Sequence, residues 1–209
     1  MKSAVLAVTA LTASLAALSP AAMAGVERPW QVHVRGIAVV PDESATVSIG
    51  GDVEIDDAFV PEVDVNYFFA EDWSVELIAA TSPHNVDHTP TGLDLGGAWV
   101  LPPTLTVKYH IPVDGPIHPY VGAGVNYTTF WNIDEPAGWD MDYSDSWGWA
   151  LQAGVEIDVA ENWTFNIDVK KIDIDTDVTI RNETTGALIA TADVDIDPIV
   201  VGIGFGYRF

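Results

Sequence analysis

Trp163-Thr164-Phe165-Asn166-Ile167-Asp168-Val169-Lys170 and Ile199-Val200-Val201-Gly202-Ile203-Gly204-Phe205-Gly206-Tyr207-Arg208-Phe209 decide the fold. In each, large apolar residues recur at every second position, the period of a β-strand with two unlike faces. With a hairpin apex at Thr184-Thr185-Gly186, where Gly186 can take the positive φ of a tight turn, the two segments pair in one register. Trp163 then faces Tyr207, Phe165 faces Phe205, Ile167 faces Ile203 and Val169 faces Val201, so apolar meets apolar. Further along, the apolar parity switches in both strands at one level. Ile172 meets Pro198, Ile174 meets Ile196 and Val178 meets Ala192, while Asp173 meets Asp197, Asp175 meets Asp195 and Asp177 meets Asp193. Paired bulges could restore the apolar face, or the strands could run on above a bilayer with the acids turned to water. The second reading keeps the register and needs no coincident insertions. It makes Ile172, Ile174, Val178, Val194 and Ile196 the lining of an apolar mouth.

Six more segments repeat the alternation: 30–40, 59–69, 73–79, 101–111, 120–131 and 147–159. The first sets Trp30, Val32 and Val34 against Gln31, His33 and Arg35. Beyond the apolar N-terminal stretch, the longest charge-free run, 115–133, is broken by Pro116, Pro119, Gly122 and Gly124, which disfavour helix. Connections alternate between long (41–58, 81–98, 132–146 and the last hairpin) and short (70–72, 112–118, 160–162), the asymmetry of external loops and periplasmic turns. Aromatic residues gather at the ends of the apolar faces, as in the two girdles of a membrane barrel. Closure removes the sheet edges that hydrocarbon cannot satisfy. The expected fold is all-β: an eight-stranded antiparallel transmembrane β-barrel in the cell outer membrane, with short periplasmic turns and long acidic external loops.

Lys2, the apolar run 4–18 and Ala22-Met23-Ala24 have the three parts of a secretory signal peptide, read over 1–24 and leaving 25–209 as a single barrel domain. The chain carries 31 acidic against 8 basic residues, a net charge of −23, and no cysteine. Without the leader, 7 basic residues remain against the same 31 acids. That field repels phosphates and argues against nucleic-acid partners. The missing thiols exclude disulfides, thiolate zinc sites, Fe–S clusters and cysteine nucleophiles.

Polar parity places Arg35, Lys108, Lys170 and Arg208 in the lumen with Glu62, Asp64, Glu76, Glu156 and Asp158. Eight strands enclose room only for side chains or one small ligand, so these charges must pair and a water-filled porin is not expected. His84-Asn85-Val86-Asp87-His88 has the histidine spacing of a zinc-binding helix, but it follows Pro83 in an external stretch, lacks the glutamate of that motif, and reads as a solvated loop. Asp173-Ile174-Asp175-Thr176-Asp177 begins like an EF-hand without its later Gly and Glu. Asp173, Asp175, Asp177, Asp193, Asp195 and Asp197 remain candidates for divalent cations without the pattern of a firm metal site. No histidine stands beside an evident Ser and acid, so no catalytic residue and no cofactor is assigned, and the chain is read as no enzyme.

Leu101-Pro102-Pro103-Thr104-Leu105-Thr106-Val107-Lys108-Tyr109-His110, Pro119-Tyr120-Val121-Gly122-Ala123-Gly124-Val125-Asn126-Tyr127-Thr128, Asp168-Val169-Lys170-Lys171 and the ending Gly202-Ile203-Gly204-Phe205-Gly206-Tyr207-Arg208-Phe209 together resemble the outer membrane protein W (OmpW) family of Gram-negative bacteria. The resemblance covers the chain after its leader. It implies a monomeric barrel among outer-membrane lipid and lipopolysaccharide, with a narrow apolar lumen that passes small hydrophobic solutes. Axial passage and lateral release into the bilayer both stay open. It also implies that the barrel-assembly machinery reads Phe209. The alternative is a structural or interaction barrel whose acidic loops bind divalent cations or surface partners.

Overall fold

The computed structural model describes residues 26–209 apart from Ile49 and Pro90, so the leader expected over 1–24 lies outside the described residues. Eight antiparallel strands close a wall, and seven of them continue upward in shorter strands. β1 (Trp30–Val40) runs into β2 (Ser44–Val47), and β3 (Asp52–Ile55) returns into β4 (Ala58–Ala70). β5 (Trp73–Ala80) runs into β6 (Ser82–Thr89), and β7 (Leu93–Leu101) returns into β8 (Thr104–His110). β9 (Ile117–Asp134) serves both levels itself, and β10 (Trp139–Tyr143) leads down into β11 (Ser146–Ala160). β12 (Trp163–Ile172) continues as β13 (Asp175–Asn182), and β14 (Leu188–Asp195) descends into β15 (Ile199–Arg208). In the lower wall the order β1-β4-β5-β8-β9-β11-β12-β15 closes through β15 on β1.

The register of the last hairpin is the one its apolar pairs demand: Trp163 opposite Tyr207, Val169 opposite Val201, Asp175 opposite Asp195 and Asp177 opposite Asp193. One pair departs. Asp197 takes a φ of 40° and its Oδ1 accepts the Ile174 amide at 3.1 Å, while the Asp173 amide bonds the Trp149 carbonyl at 2.9 Å. The bend at this level turns Asp197 into the ladder instead of toward Asp173. The acidic ladder therefore has two facing pairs, not three.

The long external loops of the sequence reading are mostly strand. β2, β3, β6, β10 and most of β7 fall within them, because backbone pairing continued from the wall below satisfies amides that a loop would leave to water. The barrel is taller than its membrane band. Above the wall the ladders divide into two four-stranded half-shells, β10-β13-β14-β2 and β3-β6-β7 with the top of β9.

The outward face below is apolar and aromatic. Trp30 and Tyr67, Trp73 and Tyr109, and Trp163 and Tyr207 pack as cross-strand pairs at 4.7, 4.9 and 5.0 Å between ring centres, all at the short-turn end. Phe59, Trp131, Trp147 and Trp149 stand exposed at the other end. Two girdles an apolar band apart are the signature of a strand-built span.

Candidate functional site

Inside, the lumen has two storeys. Going up each strand, inward positions change from polar to apolar at one height: Arg35 to Ile37 on β1, Glu62 to Val60 on β4, Glu76 to Ile78 on β5, Thr128 to Phe130 on β9 and Lys170 to Ile172 on β12.

The lower storey is a packed polar plug. Arg35 is its centre: Nε lies 2.8 Å from Glu62 Oε1, and Nη2 lies 2.6 Å from Asp64 Oδ2 and 3.4 Å from Glu76 Oε1. Lys108 bonds Glu76 at 3.2 Å, and Lys170 bonds Glu62 at 3.0 Å and Asp168 at 2.8 Å. Arg35, Asp64, Glu76, Lys108 and Lys170 are each at most 1% exposed. In a medium of low dielectric such ions persist only in mutual contact, and the geometry supplies it.

Sequence reasoning missed several members. His33 Nδ1 lies 2.7 Å from Asp64, Tyr120 donates to Asp168 at 2.7 Å, and Gln152 and Gln31 donate to Glu76 and Glu156 at 2.7 and 2.9 Å. All sit at inward parity, and Tyr120 shares that of Gly122 and Gly124 on β9, which was the signal for it. Two expected members fall outside the plug. Arg208 lies at the periplasmic rim, its guanidinium 3.8 Å above the Phe68 ring and its Nε bonded to the Arg28 carbonyl. Asp158 is exposed there and meets His118 at 3.0 Å. Both stand at the last inward position of their strands, where the lumen opens to water.

His33, Asp64 and Glu76 present ligand atoms close enough for a metal ion. The Arg35 guanidinium already occupies the space between both carboxylates, so the trio fits an ion pair rather than a metal.

The upper storey is an apolar cavity of about 350 Å³ resting on the Glu62–Lys170 pair. Ile172, Ile174, Val178, Val194 and Ile196 all line it, at 2 to 9% exposure, as the parity switch demanded. Ile37, Val39, Ile78, Val100, Phe130 and Met141 complete it from other strands. The same polar-to-apolar switch in β1, β5 and β9 carried that information.

His84 is corrected from solvated loop to buried strand. It faces the cavity from β6, its Nε2 2.9 Å from Ser82 Oγ and its Nδ1 2.7 Å from the Asp56 carbonyl, and burial holds its imidazole below the usual histidine range against the pull of Asp56. His110 likewise meets Ser74 at 3.0 Å, so two histidines do stand beside serines. The group behind His84 is a backbone carbonyl rather than a carboxylate, and both serines are buried. Above the bilayer, partial desolvation followed by Asp173, Asp195, Asp193 and Asp177 raises the Asp175 carboxyl, and burial with nearby Glu135 pushes the Tyr143 hydroxyl up to about 12.

A closed eight-stranded wall with an aromatic-girdled apolar exterior defines a β-barrel of the bacterial outer membrane. The family model for the OmpW family matches residues 29–209, and the chain belongs to that family. The chain is 39% identical over 185 residues to an uncharacterized outer-membrane protein, y4mB, of Sinorhizobium fredii, covering 87% of this chain and 80% of the relative. It is 31% identical to the dibenzothiophene metabolism operon protein PahQ of Pseudomonas aeruginosa, over 88% of this chain and 90% of that one. The crystal structure of the outer membrane protein OprG from Pseudomonas aeruginosa superposes with a TM-score of 0.80 at 32% identity, covering 90% of this chain and 99% of OprG.

Proposed function

We propose that this barrel draws small apolar molecules from outside the cell into its upper cavity and releases them sideways into the outer membrane. The observation that carries the reading is the cavity's position: an apolar chamber of about 350 Å³ seated on a plug of ion pairs. Axial passage would require parting buried charges, at several kcal/mol for each one left alone. Since a dry apolar cavity of about 150 Å³ binds benzene, this one has room for two or three fused rings. A similar protein named for a dibenzothiophene operon supports that substrate class.

The wall offers a thin place for release. Gly36 faces Pro61 across β1 and β4, so one residue lacks an outward side chain and the other lacks an N–H for the ladder. Outside them a groove bounded by Phe59, Phe165 and Phe205 opens to lipid. Around the barrel stand lipid and lipopolysaccharide, and Phe209, exposed at the end of β15, is the group offered to the assembly machinery. On this reading the barrel is a conduit and no enzyme.

The test is naphthalene uptake into vesicles whose outer leaflet is lipopolysaccharide. Barrel-containing vesicles should fill faster than protein-free ones, and equal rates would overturn the reading.

A further inference from the structure

The wall below the cavity has a backbone ladder at every one of its eight seams. Around the cavity, among the described residues, two seams have none: β2 beside β3, and β10 beside the top of β9. Each is a chain-connected neighbour pair in which, among the described residues, backbone bonds are confined to the connecting turn and no ladder runs from strand to strand, the situation that exposes an edge to opening. Carboxylates stand in for the missing ladder. Asp52 Oδ1 accepts the Ala45 amide at 2.9 Å, and Glu43 Oε1 accepts the Ile55 amide at 3.3 Å. At the other seam Glu135 Oε1 accepts the Met141 amide at 2.9 Å.

The inner side of each seam is apolar and belongs to the cavity lining. Val47 on β2 and Val53 on β3 both line the cavity at the first, and Phe130 stacks on Tyr143 with ring centres 5.3 Å apart at the second. A seam closed by side-chain bonds parts without breaking a ladder, and each carboxylate released into water is at once solvated. The uncovered apolar surface, by contrast, is what an apolar solute would cover. Opening is therefore inexpensive when such a solute is present.

We propose that the two half-shells part along these seams to admit the solute, with Glu43, Asp52 and Glu135 as the latches that hold them shut. The inference rests on the cavity being the solute's receptacle, but the parting itself is measurable without transport.

The chain has no native cysteine, so nitroxide labels attached through the substitutions Thr46→Cys and Glu54→Cys, on the outer edges of β2 and β3, report the first seam alone. In the reconstituted full barrel, adding naphthalene should bring in a longer inter-label distance. The triple variant Glu43→Ala, Asp52→Ala, Glu135→Ala should show that distance without naphthalene. Its Ala45, Ile55 and Met141 amides should exchange hydrogen about tenfold faster, the loss of roughly one hydrogen bond each. Glu43→Gln, Asp52→Asn, Glu135→Gln keeps an accepting oxygen at every latch and should behave as the parent, which a loss of charge alone would not explain. One unchanging distance in the parent with and without naphthalene would overturn the proposal, and that measurement stands even if the alanine variant fails to assemble. Parted seams with no gain in naphthalene uptake would overturn the admission route. Absence of uptake by the parent barrel, with the seams parting as expected, would instead sink the conduit reading.

Discussion

Lys170 and Ile172 stand two residues apart on β12 and face the same lumen, yet one belongs to the plug and the other to the cavity. Lys170 is bonded to Glu62 and Asp168, whereas the Ile172 side chain, 4% exposed, lines the apolar chamber above. The boundary between storeys is thus one strand repeat thick. Everything above it can be changed for solute contact, and everything below it is committed to charge balance.

Ile174 and Ile196 lie across the hairpin at that boundary, joined by the bond from the Ile196 amide to the Ile174 carbonyl at 2.8 Å. Aspartate at either site puts a carboxyl in a chamber without a partner, and burying it uncompensated costs several kcal/mol, so it stays wet or protonated and spoils the apolar lining. Naphthalene uptake should fall at least tenfold in Ile174→Asp and Ile196→Asp, while heat-modifiable migration on gels shows a folded barrel. Unaltered uptake in a folded double variant would remove the cavity from the route.

Arg35 bridges three carboxylates, Glu62, Asp64 and Glu76, none of them more than 2% exposed. Arg35→Leu removes the one cation common to all three and leaves more carboxylates than cations in the plug, and the loss should be about 3–5 kcal/mol in urea unfolding from vesicles. Arg35→Lys should recover part of it, since an ammonium cannot reach all three oxygens as the guanidinium fork does. A change below 1 kcal/mol would mean that the plug is held by packing instead.

The hairpin carried most of this architecture in its sequence. A register that satisfied Trp163, Phe165, Ile167 and Val169 also fixed the aspartate face and the cavity wall, because a one-residue slip would invert every side chain. What stayed hidden was the height of the barrel. Ser44–Val47 and Asp52–Ile55 are four residues each, too short for alternation to separate strand from loop, and Pro83 argued against a strand that tolerates it as second residue of β6, below the stretch that pairs with β3. The plug's hydrogen-bond partners were equally out of reach. Tyr120 meets Asp168 across the lumen, and Gln152 meets Glu76, from strands with no sequence proximity to suggest it.

The two half-shells should answer acid in opposite ways. His84, on β6, is held below its ordinary value by burial, so the unfolded chain takes the proton more readily and this half-shell loses stability as the pH falls below about 6.5. Asp175, on β13, is raised by desolvation and by Asp173, Asp195, Asp193 and Asp177. The folded hairpin thus takes its proton more readily, and the stability so gained is lost as the pH rises through the raised value. Hydrogen exchange corrected for intrinsic rate should show β13–β14 tightening and β3–β6 loosening between pH 7 and mild acid. Millimolar Ca²⁺ or high salt should tighten β13–β14 at pH 7, and Asp175→Asn with Asp195→Asn should abolish both responses there. Parallel behaviour of the two shells would contradict the assignment.

Gly202 and Gly204 both point into the lumen from β15, opposite Ile37 and Arg35 of β1, and they should respond very differently to one added methyl group. At Gly204 a Cβ would sit 2.1 Å from the Val34 carbonyl oxygen and 2.6 Å from the Arg35 Cα, both backbone atoms of the neighbouring strand. Neither can move without opening the β1–β15 seam that closes the barrel. At Gly202 the nearest atom is Ile37 Cγ2 at 3.1 Å, a side-chain methyl that can shift by a few tenths of an ångström. Gly204→Ala should therefore cost about 1–3 kcal/mol or more, as overpacking against fixed neighbours does. Gly202→Ala should cost well under about 1 kcal/mol, with naphthalene uptake nearly intact. The measurement is the urea midpoint of each variant in the same vesicles. Equal midpoints would show that β1 and β15 give way more readily than their close approach at Gly204 implies.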